Sequence, residues 1–141
     1  MDQKASAVWN GDLEDGAGTL TTESGVLATT QFGLDGVGTN PEELLAVSLS
    51  GDFAMTLARE LNREGLHPKR IEATATAILE EGAPGSPISH IQLDVRATVP
   101  DCTQDQFIAA TLAAKKTCTV ARGLNLKIFL NASLEHAPGH T

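Results

Sequence analysis

One tract, GTNPEELLAVSLSGDFAMTLARELNREG over Gly38–Gly65, leaves this 141-residue chain few choices. It reads as a single helix with both ends written in. Asn40 is an N-cap residue, Pro41 suits the first helical position, and Glu42 and Glu43 put negative charge where the helix dipole favours it. Arg59 and Arg63 occupy the last turns, and Gly65 with Pro68 closes the element. From Leu44 to Ala58 apolar residues occur on every side, the pattern of a helix buried at the centre of a structure. Asp52 is the one ionisable side chain in that stretch. A carboxylate there has to be paired, hydrogen-bonded, protonated or wetted by a cleft. Leu45, Ser48, Leu49, Met55, Thr56 and Arg59 share its helical face, which makes Ser48 and Thr56 local hydrogen-bond partners. The residues alone favour a structural carboxylate satisfied at an edge or against a partner chain. A cleft carboxylate at a reactive position is the competing reading.

The length suits one domain with a real core. A net charge of −8 and a pI near 4.8 argue against nucleic acid as a partner, since phosphate binding needs clustered Lys and Arg. The opening MDQKASAVWNG has no apolar signal-peptide core, and no run is long enough to span a bilayer. A soluble cytoplasmic protein with no membrane partner is therefore expected. One Trp and no Tyr argue against recognition by stacking. Cys102 and Cys118 are expected to be free thiols, too few for a zinc site without clustered His; no metal or cofactor is implied.

In order along the chain, Lys4–Asn10, Gly16–Thr22 and Gly25–Phe32 are short β-prone runs separated by turn composition, an antiparallel meander. Gly33–Gly38 is a loop into the helix. Beyond the helix, Ile71–Leu79 and Ser89–Val99 alternate apolar and polar residues and form a hairpin across the Gly82–Pro87 loop. His90 falls on the solvated face. Thr103 with Gln106 makes a capping box for a second helix running to Lys116, whose amphipathic face carries Phe107, Ile108, Thr111, Leu112 and Lys115. A last strand alternates from Leu126 to Glu135, and His136 and His140 sit on a terminal tail. The order βββ-α-ββ-α-β is an α+β domain over 1–141.

The segments KASAVWNG, GAGTLTTESGVL, GTNPEELLAVSLSGDFAMTL, ATVP and KKTCTVARGLN, taken in order, resemble the OsmC branch of the OsmC/Ohr family. These are the osmotically inducible protein C and organic hydroperoxide resistance proteins. The resemblance implies an OsmC-like fold, with antiparallel sheets around a long buried central helix in an intertwined homodimer. It also implies a thiol peroxidase acting on organic hydroperoxides at the dimer interface. In that chemistry a peroxidatic Cys on the central helix attacks the O–O bond, and a second Cys resolves the sulfenic acid as a disulfide. An Arg held by a Glu lowers the thiol pKa.

Transferred residue by residue, the Glu falls on Glu42 and the resolving Cys on Cys118, with Arg122 four residues later. The peroxidatic Cys falls on Asp52, and the Arg at or near Gln31. A carboxylate has no sulfur chemistry with which to reduce a peroxide. The expected function is therefore membership of a hydroperoxide and oxidative or osmotic stress-defence family, impaired or inactive as a peroxidase. The alternative is a non-catalytic dimeric ligand-binding or regulatory relative using the interface cavity. Lys115, Lys116 and Arg122 favour a thiolate at Cys118, which is expected to be the more reactive thiol. Leu49 and Phe53 are expected at the contact between chains.

Overall fold

The computed structural model describes residues 1–33, 36–81 and 86–135. Leu34 and Asp35 of the approach loop, Gly82–Gly85 of the hairpin loop, and the tail with His136 and His140 lie outside the described residues. The chain falls into two compact units, Met1–Leu44 and Leu45–Thr141.

The first unit is a three-stranded antiparallel sheet in the order β1 (Ala5–Asn10), β2 (Ala17–Thr22) and β3 (Thr30–Phe32). The expected meander is present, with its third strand confined to three residues. Apolar side chains are sparse here, and all six residues of β1 are exposed.

α1 spans Pro41–Arg63, and its start follows the sequence signals. Asn40 Oδ1 accepts from the Glu43 N–H at 2.8 Å, while Thr39 Oγ1 donates to Glu43 Oε1 at 2.7 Å. At the far end Gly65 takes φ +76°, and the Leu66 N–H closes on the Leu61 carbonyl at 2.9 Å.

The second unit carries the hydrophobic core. β4 (Arg70–Leu79) and β5 (Ile88–Thr98) pair antiparallel as expected. β6 (Lys127–Glu135) instead pairs parallel with β5, which corrects the expectation of purely antiparallel sheets. The cause is the crossover: α2 (Gln104–Thr117) carries the chain from the end of β5 back to the end where β5 began. Strand alternation places Ile91, Leu93, Val95 and Ala97 of β5 inward, together with Ile128 of β6. Leu49, Phe53, Leu57 and Leu61 of α1 join them, with Phe107, Ala110 and Ala114 of α2. On the other side of the sheet Glu72 bridges Arg70 and Arg96, each at 2.9 Å, and these guanidinium partners hold its carboxyl below the ordinary range. His90 also lies on that side, half-buried and edge-on to Phe129 at 5.1 Å.

Three sequence expectations change in this unit. Leu49 and Phe53 are wholly buried in their own chain's core, so they are not contacts between chains. In α1 the exposed apolar residues are instead Val47 and Met55, 62% and 69% exposed, so within one chain the helix is buried along one face only. In α2 the buried face is Phe107, Ala110, Thr111 and Ala114, while Ile108 and Leu112 point outward. The spacing i, i+3, i+4, i+7 from Phe107 selects that stripe.

A thiol and carboxylate pair between two helices

α2 ends at Thr117, and a short helix α3 (Thr119–Gly123) follows after a single residue. That residue is Cys118. Its extended backbone (φ −63°, ψ 119°) makes it both the last cap of α2 and the first of α3. The Cys118 N–H closes α2 on the Ala114 carbonyl at 2.8 Å, and its carbonyl accepts from the Arg122 N–H at 3.0 Å. A cysteine at an N-cap gives no side-chain hydrogen bond to the amides of the turn it opens.

Asp52, in the middle of α1, supplies that acceptor. Its Oδ2 takes the Val120 N–H at 2.9 Å and the Cys118 Sγ–H at 3.2 Å. The one carboxylate in the apolar stretch of α1 is thus satisfied by Cys118 and Val120 of its own chain rather than by the expected Ser48 and Thr56. Thr56 is buried, and Ser50 turns back onto the Val47 carbonyl at 3.1 Å. A second carboxylate, Glu60, is more deeply buried and lies two turns further along α1. It accepts from Arg63 at 3.1 Å and from Thr117 Oγ1 at 3.4 Å, which ties α1 to the last turn of α2 beside Cys118.

Cys118 is fully buried. Burial pushes its thiol pKa up, and the adjacent Asp52 pushes it further, while the nearby amides of Ala121 and Val120 pull the other way. The outcome is a protonated thiol, opposite to the thiolate expected from neighbouring cations. Lys115, Lys116 and Arg122 are all exposed, so water screens their charge. Cys102 is half-buried, donates to the Thr103 carbonyl at 3.4 Å, and is also pushed up by burial. Both cysteines are free.

The structure therefore brings Asp52 and Cys118 together within the second unit. Glu42, half-buried in the first turn of α1, and Gln31, exposed on β3 opposite Thr19, belong to the first unit. Sequence reasoning missed the Val120 amide. A backbone donor has no residue signature, and α3 is too short to announce itself by periodicity. One clue was available: a cysteine in the cap position ahead of Thr119 leaves the amides of that turn without a local acceptor. Among the described residues no three His, Cys, Asp or Glu side chains gather as a metal site, and no helix is long and apolar enough to cross a membrane.

Comparison with known proteins gives the family and the fold. Residues 33–132 match the family model of OsmC-like proteins. The chain is 34% identical over 138 residues to peroxiredoxin OsmC of Escherichia coli K12, covering 94% of this chain and 96% of that protein. Its fold is that of an OsmC-like protein from Mycoplasma pneumoniae, with a TM-score of 0.79 at 16% identity over 96% of this chain and 99% of the other. The organic hydroperoxide resistance protein OhrB of Bacillus subtilis shares it at a TM-score of 0.65 and 19% identity, over 94% and 98% of the two chains. With a curated relative matched over nearly its full length and the family pattern spanning α1, β4, β5, α2 and Cys118, the chain belongs to the OsmC-like protein family.

Proposed function

We propose that this is a hydroperoxide and oxidative or osmotic stress-defence protein of OsmC/Ohr type whose thiol peroxidase activity is impaired or lost because Asp52 stands at the peroxidatic cysteine's position. One observation carries the reading. Asp52 Oδ2 lies 3.2 Å from the sulfur of Cys118, the separation at which an attacking thiol would meet a resolving one. The kinship to a named peroxiredoxin at 34% identity supports the class, and the carboxylate argues against turnover. Reducing a hydroperoxide needs a sulfur that attacks the distal oxygen, releases an alcohol and becomes a sulfenic acid. Asp52 has no such sulfur, and Cys118 is protonated and buried.

The working unit in this proposal is a cytoplasmic homodimer. The free state of both cysteines suits a reducing compartment. Val47 and Met55, one turn either side of Gly51 on the outer face of α1, give a partner chain an apolar stripe to cover. A second reading, a non-catalytic dimeric ligand-binding or regulatory relative, draws on the complete burial of Cys118, which leaves the pair without a surface nucleophile.

Steady-state consumption of an organic hydroperoxide with a dithiol reductant tests the proposal. Wild type is expected to show no catalytic consumption, and the double variant Asp52→Cys with Gln31→Arg to regain part of it. Wild type matching the double variant would defeat the assignment of Asp52. Inactivity of both supports the ligand-binding reading.

A further inference from the structure

The short helix α3 contains no buried residue. Its neighbours are anchored: α2 buries Phe107, Ala110, Thr111 and Ala114, and β6 keeps register with β5 from Lys127 onward. The residues at the two ends of α3 are both extended, Cys118 at φ −63° and ψ 119°, Leu124 at φ −93° and ψ 131°. A helical turn is therefore set between two non-helical joints. Joints of this kind let a turn swing as a unit, because the backbone change is absorbed at its ends. The turn also holds itself together. The Arg122 N–H donates to the Cys118 carbonyl at 3.0 Å, and the Leu124 N–H to the Val120 carbonyl at 3.1 Å. A Cβ at Gly123 would meet nothing within 4 Å, so space lies open at the far end.

Val120, Ala121 and Leu124 reach the core with part of their surface only. Both hydrogen bonds from this turn to α1 end on one atom, Asp52 Oδ2, which takes the Val120 N–H and the Cys118 Sγ–H. Asp52 is thus the capping acceptor for an amide 68 positions further along the chain. The α2 side of the joint is held separately, by Thr117 Oγ1 on the Ala113 carbonyl at 2.9 Å and on Glu60 at 3.4 Å. Losing the bonds to Asp52 therefore frees α3 and leaves the end of α2 in place. Cys118 is fully buried, so a reagent meets its sulfur only after an element moves. A segment with little buried surface and one point of attachment opens at lower cost than the core around it.

We propose that α3 is a gate over Cys118, hinged at Cys118 and Leu124 and latched by Asp52, which opens while the core stays folded and sets the rate at which thiol-reactive compounds reach the sulfur. The gate regulates the pair described above, and it stands whether or not that pair has lost peroxidase activity. The full chain is treated with N-ethylmaleimide at fixed pH and increasing urea, and labelling of Cys118 is followed by peptide mapping. No peroxide is involved, so failure here leaves the peroxidase reading as it was. Well below the unfolding transition, the Cys118 rate is expected to be independent of urea. Asp52→Ala is expected to raise it at least about tenfold, and Asp52→Asn, which keeps one acceptor oxygen, to raise it less. Val95→Ala, buried in the middle of β5, is expected to lower global stability and leave the Cys118 rate within about twofold of wild type. A wild-type rate that climbs with urea as steeply as global unfolding overturns the proposal. So does a Cys118 rate that rises in Val95→Ala in proportion to its lost stability, or one left unchanged by Asp52→Ala.

Discussion

β5 buries Ile91, Leu93, Val95 and Ala97 along one face, whereas β1 exposes all six of its residues. The two sheets use the same strand geometry with different side chains. In β4–β5–β6 aliphatic residues recur at every second position, so a buried face follows from the period of a strand. In β1–β2–β3 the runs are Ala, Ser, Gly and Thr with a few large residues, and Gly18 is the one buried position in the three strands. One sheet is a core wall. The other is a platform on which Trp9 and Phe32 lie over glycine.

Truncation should separate the two most sharply. Phe53→Ala removes a fully buried ring of the core and should cost about 3–5 kcal/mol, while Val8→Ala in β1 should stay within about 0.5 kcal/mol. Urea denaturation of both variants measures this, and equal losses would dissolve the distinction. Asp52→Ala strips the Val120 amide and the Cys118 thiol of their shared acceptor and should cost about 1–3 kcal/mol. Asp52→Asn, which keeps an acceptor oxygen, should cost less. Thr103→Ala breaks the capping box of α2, whose two bonds are 3.1 and 2.9 Å, and should cost about 1 kcal/mol.

A pH effect should follow from Cys118. Its thiol pKa is higher in the folded chain than its ordinary value, so above that value the unfolded chain releases a proton that the folded chain keeps. Stability should therefore fall as pH rises from the ordinary thiol range into the raised one. Cys102 contributes in the same direction, also through burial. Cys118→Ala should flatten part of that alkaline decline in thermal melts taken across the range. The smallest effect is kinetic: a limiting alkylating reagent should label half-buried Cys102 before fully buried Cys118, as read by peptide mapping.

Legibility followed the same division. The helix from Pro41 and the capping box at Thr103 were written in local chemistry, and the strand faces from Ile71 to Leu134 in alternation; both were readable before any fold was known. The parallel pairing of β6 was not, because a strand's side-chain period is the same in either direction. The one-sided burial of α1 was also hidden: an apolar surface reads alike whether its own chain or another covers it. At the site, Asp52 and Cys118 stood out as residue types, but their contact spans 66 positions and runs through a five-residue helix. The pairing of Trp9 with Phe32 was hidden for another reason. Scarce aromatics argued against stacking, yet two glycines and strand register bring two of the few rings together.

The account turns on Asp52 occupying a sulfur's place beside Cys118. Replacing it tests this directly: Asp52→Cys and wild type are each treated with one equivalent of an organic hydroperoxide, then analysed by intact mass and peptide mapping. The account predicts that the variant loses two hydrogens in a disulfide joining the introduced thiol to Cys118, while wild type keeps both thiols free. A wild-type chain that loses its thiols as fast as the variant, or a variant whose introduced thiol never links to Cys118, would contradict it.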